Sequence, residues 1–384
     1  MTTLVAPSPS PTTTAPVASL IVPDPDGRWA EALIAPWRDL AEAAVEPNAF
    51  FGPDLLLPAL RHLAEGRDVR IFALWEGMPE TSRLLALVPV APQRSFGRLR
   101  APNVATWLHP HAFLGTPLVR PGHEAAFWAA FVPLVARTWW GGLIQIRRID
   151  RDGPLARALD HVDLPAPPMI LREADRAFLT VPPEAEPYLE AQLRGKKRKE
   201  LRRQRRRLGE LGELTFTAFT SRPDIDAWIA DFLRLEAAGW KGRGQTAIAQ
   251  QEAERRYFSE ALRAAADHDR LLAVDCRLDG RPIAMHINLR AGTGCFSFKT
   301  CFDEDFSAYS PGVQVQLDNI DALIAEGIAW SDSCAAKDHP MINSIWRDRI
   351  RIADIAIGLD GPLRRTYFLG IKSAEFFYRA CVKR

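Results

Sequence analysis

The chain has 384 residues, 47% hydrophobic and 25% charged, too long for one ordinary core and too apolar for a disordered or fibrous protein. Its 49 basic and 47 acidic residues nearly cancel to a formal charge of +2, so overall charge selects no class of partner and any electrostatic role must sit in local clusters. Five cysteines (Cys276, Cys295, Cys301, Cys334, Cys381) form no C-x-x-C pair and fall mostly in apolar runs, which argues for a reducing compartment and against a disulfide framework or zinc site.

Residues 1–20 are rich in Pro, Thr, Ser and Ala, lack the basic start and apolar block of a signal peptide, and are expected to form a flexible tail. No apolar stretch is long enough to span a bilayer, and a soluble cytoplasmic protein is expected. Apolar spacing predicts a helix over 29–45 and a second after the Phe51-Gly52-Pro53-Asp54 turn, with Asp54 placed to cap it. Residues 69–75 and 84–90 read as strands joined by a Gly- and Pro-containing turn. A looser segment with Trp107, His109 and His111 precedes a helix at 124–138 and a strand at 142–149. Prolines at 165–168 and 181–183 punctuate the middle, and a domain boundary is expected at 170–185, separating residues 21–175 from 186–370, with a C-terminal helix over 371–384. A strongly basic helix is predicted over 187–208.

Beyond it the order is clearer. A strand at 214–220 is followed by helices at 224–238 and 249–268, and Asp279-Gly280 turns one strand (271–278) back into another (282–290). A third strand at 295–302 extends the meander. A helix opens at Pro311-Gly312 and stops at Gly327, then come a strand at 328–334, a short helix at 341–346 and a strand at 350–357. The first half repeats a blurred version of this order, which suggests structural duplication.

Three segments carry a resemblance: FLRLEAAGWKGRGQTAI (232–248), FKTCFDEDFSAYSPGVQVQ (298–316) and DSCAAKDHPMINSIWRDRI (332–350). They resemble the CelD/BcsL-type acetyltransferases, named for bacterial cellulose biosynthesis; Phe50-Phe51 and HAFLGTPLV (111–119) resemble the family's N-terminal signature. Gln245 stands where glycine is usual and Phe302 where tyrosine is common. The resemblance spans residues 28–360 and implies an α+β fold of tandem GNAT-like domains, each a mixed, mostly antiparallel sheet flanked by helices, also seen in Fem peptidyltransferases that use aminoacyl-tRNA. It implies acyl transfer from acetyl-CoA or another acyl-CoA, without a metal, to a polar acceptor, in a setting of polysaccharide production.

Several residues carry candidate chemistry. Tyr309-Ser310-Pro311-Gly312, with Val313, opens a helix after a strand, where free N–H groups and the positive helix end favour a pyrophosphate. In GNAT folds coenzyme A lies there; an ordinary helix start is the plain alternative. Asp332, on an apolar strand face, is either a catalytic carboxylate that orients His339 or accepts a proton from the acceptor nucleophile, or a structural partner of Arg347 or Arg349. His339 has the titration range of a general base, and also suits a solvated loop. Glu236, Trp240 and Lys241 end the first helix of the second half; in GNAT folds this loop walls the acceptor pocket, while a capped helix end with Trp240 in the core is the alternative. Lys299 alternates with Phe296, Phe298 and Thr300 and so points to the other strand face, either into solvent or toward a phosphate or acceptor carboxylate. His109 and His111 show no metal-ligand spacing.

The run RGKKRKELRRQRRRL (194–208) carries basic residues on most helix faces. No aromatic residues interleave to stack on bases, and the apolar stripe (Leu193, Leu201, Leu208) is thin for membrane insertion, so a solvated linker helix or a dock for the CoA 3′-phosphate or an anionic acceptor is expected, with nucleic-acid binding as a minor alternative. An acyl-CoA-dependent transferase is the leading expectation. A Fem-like transferase using charged tRNA and a non-catalytic partner in a polysaccharide-synthesis complex are the alternatives.

Overall fold

The computed structural model describes residues 15–78 and 83–382. In chain order the first half contains β1 (Val17–Ile21), α1 (Arg28–Ala43), α2 (Pro53–Leu63), β2 (Arg70–Trp75), β3 (Leu84–Gln93), β4 (Asn103–Thr106), β5 (Leu118–Val119), α3 (Glu124–Thr138), β6 (Leu143–Asp150), α4 (Pro154–Ala158) and β7 (Met169–Thr180). There follow α5 (Ala185–Gln192), α6 (Gly195–Gly209), β8 (Leu214–Phe219), α7 (Ile225–Ala238), α8 (Trp240–Arg243), α9 (Glu252–Asp267), β9 (Leu271–Leu278), β10 (Arg281–Ala291) and β11 (Gly294–Phe302). The chain continues through α10 (Pro311–Ala325), β12 (Trp330–Asp332), α11 (Pro340–Ile345), β13 (Asp348–Gly358) and α12 (Pro362–Val382).

The strands of the described residues form one sheet in the order β1-β2-β3-β4-β6-β13-β7-β12-β11-β10-β9-β8, with β5 on β3. Each half is an antiparallel meander, β1 to β4 or β8 to β11, closed by a parallel strand that arrives after a helix: β6 beside β4, and β12 beside β11. This is the tandem architecture that the order of predicted elements implies. The halves then exchange strands. β7 follows β6 in sequence but pairs with β12, whereas β13 follows β12 and pairs with β6, and β7 and β13 pair with each other at the centre. The expected boundary at 170–185 therefore falls largely on a central strand and not in a linker. Its MILREADRAFLT sequence hides this, because residues 172–175 are exposed on a strand otherwise partly buried.

The core is also shared. The one-turn helix Ala49–Phe51 presses Phe50 between Phe113 and Phe296, at ring-centroid distances of 5.7 and 5.2 Å, and α2 packs on α9, with His62 Nε2 2.6 Å from Glu260. Burying such rings against each other contributes roughly 0.5–1.5 kcal/mol per pair beyond area.

Other expectations need correction. Of the expected tail, residues 1–14 lie outside the described residues, but Val17–Ile21 pairs antiparallel with β2. The turn expected between β2 and β3 includes residues 79–82, also outside them. Asp54 does not cap α2: Gly52 is the cap residue, and Asp54 instead pairs with Arg38 at 3.1 Å and His268 at 3.0 Å. The basic helix is broken at Leu193-Arg194 into α5 and α6, and the last helix starts at Pro362, not 371. Gln245 adopts φ +55, a left-handed conformation that explains a preference for glycine there.

Truncation before Asp348 removes the common partner of β6 and β7. The shortened chain is expected to lose cooperative thermal unfolding by circular dichroism as a whole; persistence of one cooperative half would show that the halves are independent.

Candidate active site

β11 and β12 pair over only three residues, Gly294 with Trp330, Cys295 with Ser331 and Phe296 with Asp332. β12 then ends, while β11 runs on to Phe302 with pairing only to β10. The second half of β11 thus presents an unpaired backbone edge, with alternating N–H and C=O groups, to a gap whose other wall is the chain after Asp332. A gap at the carboxyl ends of parallel strands suits an extended ligand arm.

At one end of the gap lies the start of α10. Ser310 holds φ +54, and its carbonyl accepts from the Val313 and Gln314 N–H groups at 2.9 and 3.0 Å. Pro311 has no N–H, so Gly312 offers the only unsatisfied backbone donor of this first turn among the described residues. A Cβ on Gly312 would lie 2.9 Å from the Phe302 ring, so tight packing of α10 on β11 explains this glycine. Ser310 makes no side-chain cap, and Tyr309 and Val313 are half-buried beside it. One free N–H and a helix end hold little charge by themselves. The basic helix α6 lies alongside: Gln204 donates to the Ala308 carbonyl at 3.1 Å, Gln314 donates to the Leu201 carbonyl at 3.0 Å, and Arg205 grips Asp318 through two bonds of 2.9 Å. Leu201 and Leu208 are buried, and Arg202 and Arg206 stand exposed next to Arg205 in a shared hollow. Arg202 pairs with Glu186, and Arg206 lies 3.8 Å from Glu210 in the same hollow.

A bulge in β11 decides what faces the other side. The β10 register shifts between Ile287, opposite Lys299, and Asn288, opposite Ser297, leaving Phe298 unpaired. Parity reverses there. Thr300 joins Ser297 on the α10 side, where it bonds His286 Nδ1 at 2.8 Å and Gln316 Nε2 at 3.1 Å. Lys299 turns to the Phe298 side, contrary to simple alternation, and its Nζ lies 5.2 and 5.7 Å from the Phe298 and Phe113 rings. Burial, then the nearby Lys241 charge, pushes the Lys299 amine down to about 8, against the opposing pull of Glu236 and Glu254.

The groups around Lys299 come from both halves. Glu236, on α7 and buried, accepts from Lys241 Nζ at 2.7 Å and from the Ile248 N–H at 3.0 Å. Trp240 is 61% exposed and not in the core; with Glu236, Lys241 and Thr300 to Phe302 it lines a small cleft. His111 Nε2 lies 3.1 Å from Glu254, and its ring stacks on Tyr257 at 5.4 Å. Burial lowers the pKa of His111, partly opposed by Glu254, and holds the His109 imidazole down to about 3. Among the described residues neither nitrogen of His109 nor the Tyr257 hydroxyl has a partner. Sequence reasoning undervalued both histidines, because their partners on α9 lie more than 140 positions away and no spacing rule signals them.

Asp332 and His339 are not brought together. Asp332 is buried and forms an ion pair with Arg176, also buried, while its second oxygen accepts from the Cys334 N–H at 2.9 Å. Arg176 also donates to the Phe113 carbonyl at 2.9 Å. The partner of Asp332 is thus neither Arg347 nor Arg349 but a β7 residue in the exchanged strand. His339 caps α11, its Nδ1 accepting from the Ile342 N–H at 3.4 Å, which leaves Nε2 to carry the proton of the neutral ring. Among the described residues no group of three or more His, Cys, Asp or Glu is placed to hold a metal ion, and no helix is long and apolar enough to cross a membrane.

Residues 195–339 match the family model described as an acetyltransferase (GNAT) domain. The fold is GNAT. FemX has 10% identity to the chain over 87% of it and 98% of FemX, with a TM-score of 0.56. A conserved protein of unknown function from Bacteroides thetaiotaomicron has 13% identity over 85% of this chain and 97% of that one, with a TM-score of 0.54. The C-terminal (DUF2156) domain of a putative lysylphosphatidylglycerol synthetase from Agrobacterium fabrum has 13% identity over 90% and 96%, with a TM-score of 0.51. No curated protein matches the sequence. At these identities the likeness extends to the GNAT fold alone.

Removing one partner of a buried ion pair costs about 3–5 kcal/mol, because the other charge is left unpaired. Asp332→Ala is expected to lower stability by about that amount in urea titration, and Arg176→Met/Asp332→Leu to recover much of it. A stable Asp332→Ala protein that has lost only turnover would instead mark a catalytic carboxylate.

Proposed function

We propose that the protein is an acyltransferase that moves an acetyl or other acyl group from coenzyme A to an amine or hydroxyl of a polar acceptor. The observation that carries this reading is the gap opened where β12 ends beside β11, with the α10 start and α6 at its phosphate end. The pantetheine arm lies along the free edge of β11, and the diphosphate rests on the Gly312 N–H, with Arg202 and Arg206 turning to it from their pairs with Glu186 and Glu210. The acceptor enters from the α7 and α9 side, past Trp240.

Attack of the acceptor nitrogen or oxygen on the thioester carbonyl forms the new C–N or C–O bond, and collapse breaks the C–S bond. The acceptor's proton goes to Lys299, whose amine is neutral in a useful fraction at physiological pH, and the departing thiolate takes a proton from solvent. Glu236 holds Lys241 in place, and Lys241 keeps Lys299 from being fully charged. Asp332 and His339 act by positioning: the first ties β12 to β7, the second fixes the start of α11. A sugar or polysaccharide precursor is the acceptor that the polar wall suits best, and the cytoplasm, where acyl-CoA and reduced thiols coexist, is its compartment.

A second reading has its own observation. Arg194, Lys196, Lys197, Lys199 and Arg207 on and beside α6 make no ion pair among the described residues, and could hold the backbone of a charged tRNA as acyl donor.

Acetyl-CoA, longer acyl-CoAs and tRNA added separately distinguish the donors by thermal shift. At 100 times its Kd a true donor stabilises the native state by about 2.7 kcal/mol. A rise with tRNA and none with any CoA species would replace the first reading by the second. With a donor and acceptor in hand, kcat/KM is expected to rise with pH through about 8, as Lys299 loses its proton. Lys299→Met should lower kcat by roughly 10²–10⁴-fold, and Lys241→Met should move the limb to higher pH, since both the lost cation and the freed Glu236 carboxylate raise the Lys299 pKa. An unmoved profile excludes Lys299 as the base.

A further inference from the structure

The first half contains a second opening of the same kind. β4 and β6 pair in parallel over only Val104 with Ile144 and Ala105 with Gln145, and then separate. Between them, closed off by β7, β13 and the loop at 96–99, lies a cleft of about 850 Å³, the size of a small-molecule site. Among the described residues its wall carries five arginines, Arg67, Arg98, Arg147, Arg148 and Arg172, and one carboxylate, that of Asp354.

Sheet geometry gathers these charges. Asp354 on β13 stands opposite Arg172 on β7, and the β13–β6 register skips from Ala353 (with Ile149) to Ile355 (with Ile146), so Arg147 and Arg148 bulge together opposite Asp354. Arg148 takes φ +53 at this bulge; its N–H donates to Asp354 at 2.8 Å and its guanidinium to the Ala112 carbonyl at 2.6 Å. The guanidinium groups of Arg67, Arg147 and Arg172 make no hydrogen bond or ion pair among the described residues. Burial disfavours the charged forms of Arg147 and Arg148, and the Asp354 carboxylate offsets this only in part. A second observation points the same way: His109, 4% exposed, lines the inner end of the cleft with both ring nitrogens lacking a protein partner.

We propose that this cleft is a binding site for a small molecule bearing a diphosphate. Three guanidinium groups without a partner among the described residues, those of Arg67, Arg147 and Arg172, match a group of several negative charges better than a lone carboxylate, and arginine's forked donors suit phosphate oxygens. A recessed cleft of this volume takes a molecule and not a surface strip of polymer. The ring of His109 lies 4.8 Å from that of Tyr257 and 6.3 Å from that of His111, so the ligand's far end approaches the cluster around Lys299. The ligand is then the acyl acceptor, held by its phosphates; that role rests on the acyl-transfer reading, whereas binding does not.

The test is isothermal titration of the full chain with inorganic pyrophosphate, carried out on wild type, on Arg147→Gln/Arg172→Gln, and on Arg202→Gln/Arg206→Gln, which disables the α6 end. The binding phase that belongs to the cleft is expected to persist with similar affinity in the α6 variant and to weaken at least about tenfold in the Arg147→Gln/Arg172→Gln variant, whereas a phase lost with Arg202 and Arg206 belongs to the donor end. Arg172 is exposed, so Arg172→Gln alone gives a folded control if the double variant melts early. Absence of binding to wild type, binding unaltered by loss of Arg147 and Arg172, or binding lost only with Arg202 and Arg206 overturns the proposal. Acetyl-CoA titrated into the same three proteins separates the two readings: Arg172-dependent pyrophosphate binding without CoA binding refutes the donor assignment alone, and the converse refutes only this cleft.

Discussion

The exchange of β7 and β13 is the constraint on which the rest of the structure depends. Each half-sheet lacks a strand of its own on its inner edge and is completed by a strand that follows the other half in sequence. Exposed central edges would be long, unpaired templates for misassociation, and the mutual pairing of β7 with β13 removes both. The same arrangement carries Arg176 on β7 to Asp332 on β12 and to the carbonyl of Phe113 in the first half, so one buried guanidinium joins three segments around the gap beside β11. Rigidity at the centre lets the parallel pairs β11–β12 and β4–β6 separate at their ends without the sheet coming apart.

Much of this was legible in the residues. The hairpin at Asp279-Gly280, the Pro311-Gly312 helix start and the order of the second half follow from turn chemistry and period, since these elements are long and locally encoded. What escaped depends on contacts between distant positions. β7 was read as a boundary because prolines at 165–168 and 181–183 flank it, while its pairing partner lies about 175 residues on. Lys299 was placed on the wrong face because one unpaired residue, Phe298, reverses every later side chain, and a bulge leaves no mark in composition. Asp332 was recognised as a costly buried carboxylate, but its partner was sought nearby in sequence and found across the sheet. His109 and His111 looked ordinary because α9, which supplies Glu254 and Tyr257, meets them only in the folded state.

The nearly neutral total charge conceals a sharp division. Positive charge gathers at two ends of the molecule's functional surface, on α6 beside the start of α10 and around the β6 bulge, while acidic groups are spent pairing locally, as Glu236 does with Lys241 and Asp318 with Arg205. Between the two basic regions lies an apolar and aromatic middle, Phe50, Phe113, Phe296 and Phe298, into which Lys299 projects. Under the proposed reaction, such a layout would hold two charged molecules by their outer ends and let their reactive ends meet where the local dielectric is low and a lysine is easily neutralised.

The strand exchange also sets the order in which this chain must fold. During synthesis β6 emerges some 200 residues before β13, its inner-edge partner, and β7 emerges about 150 residues before β12. The first half therefore waits on the ribosome with its inner edge open, and the central pairing can close only after the second half has been made. Contacts of such sequence separation are slow to form, and an open hydrophobic edge held for that interval is the kind of surface that chaperones bind. A protein whose halves look like two ordinary domains thus folds as one unit, and late.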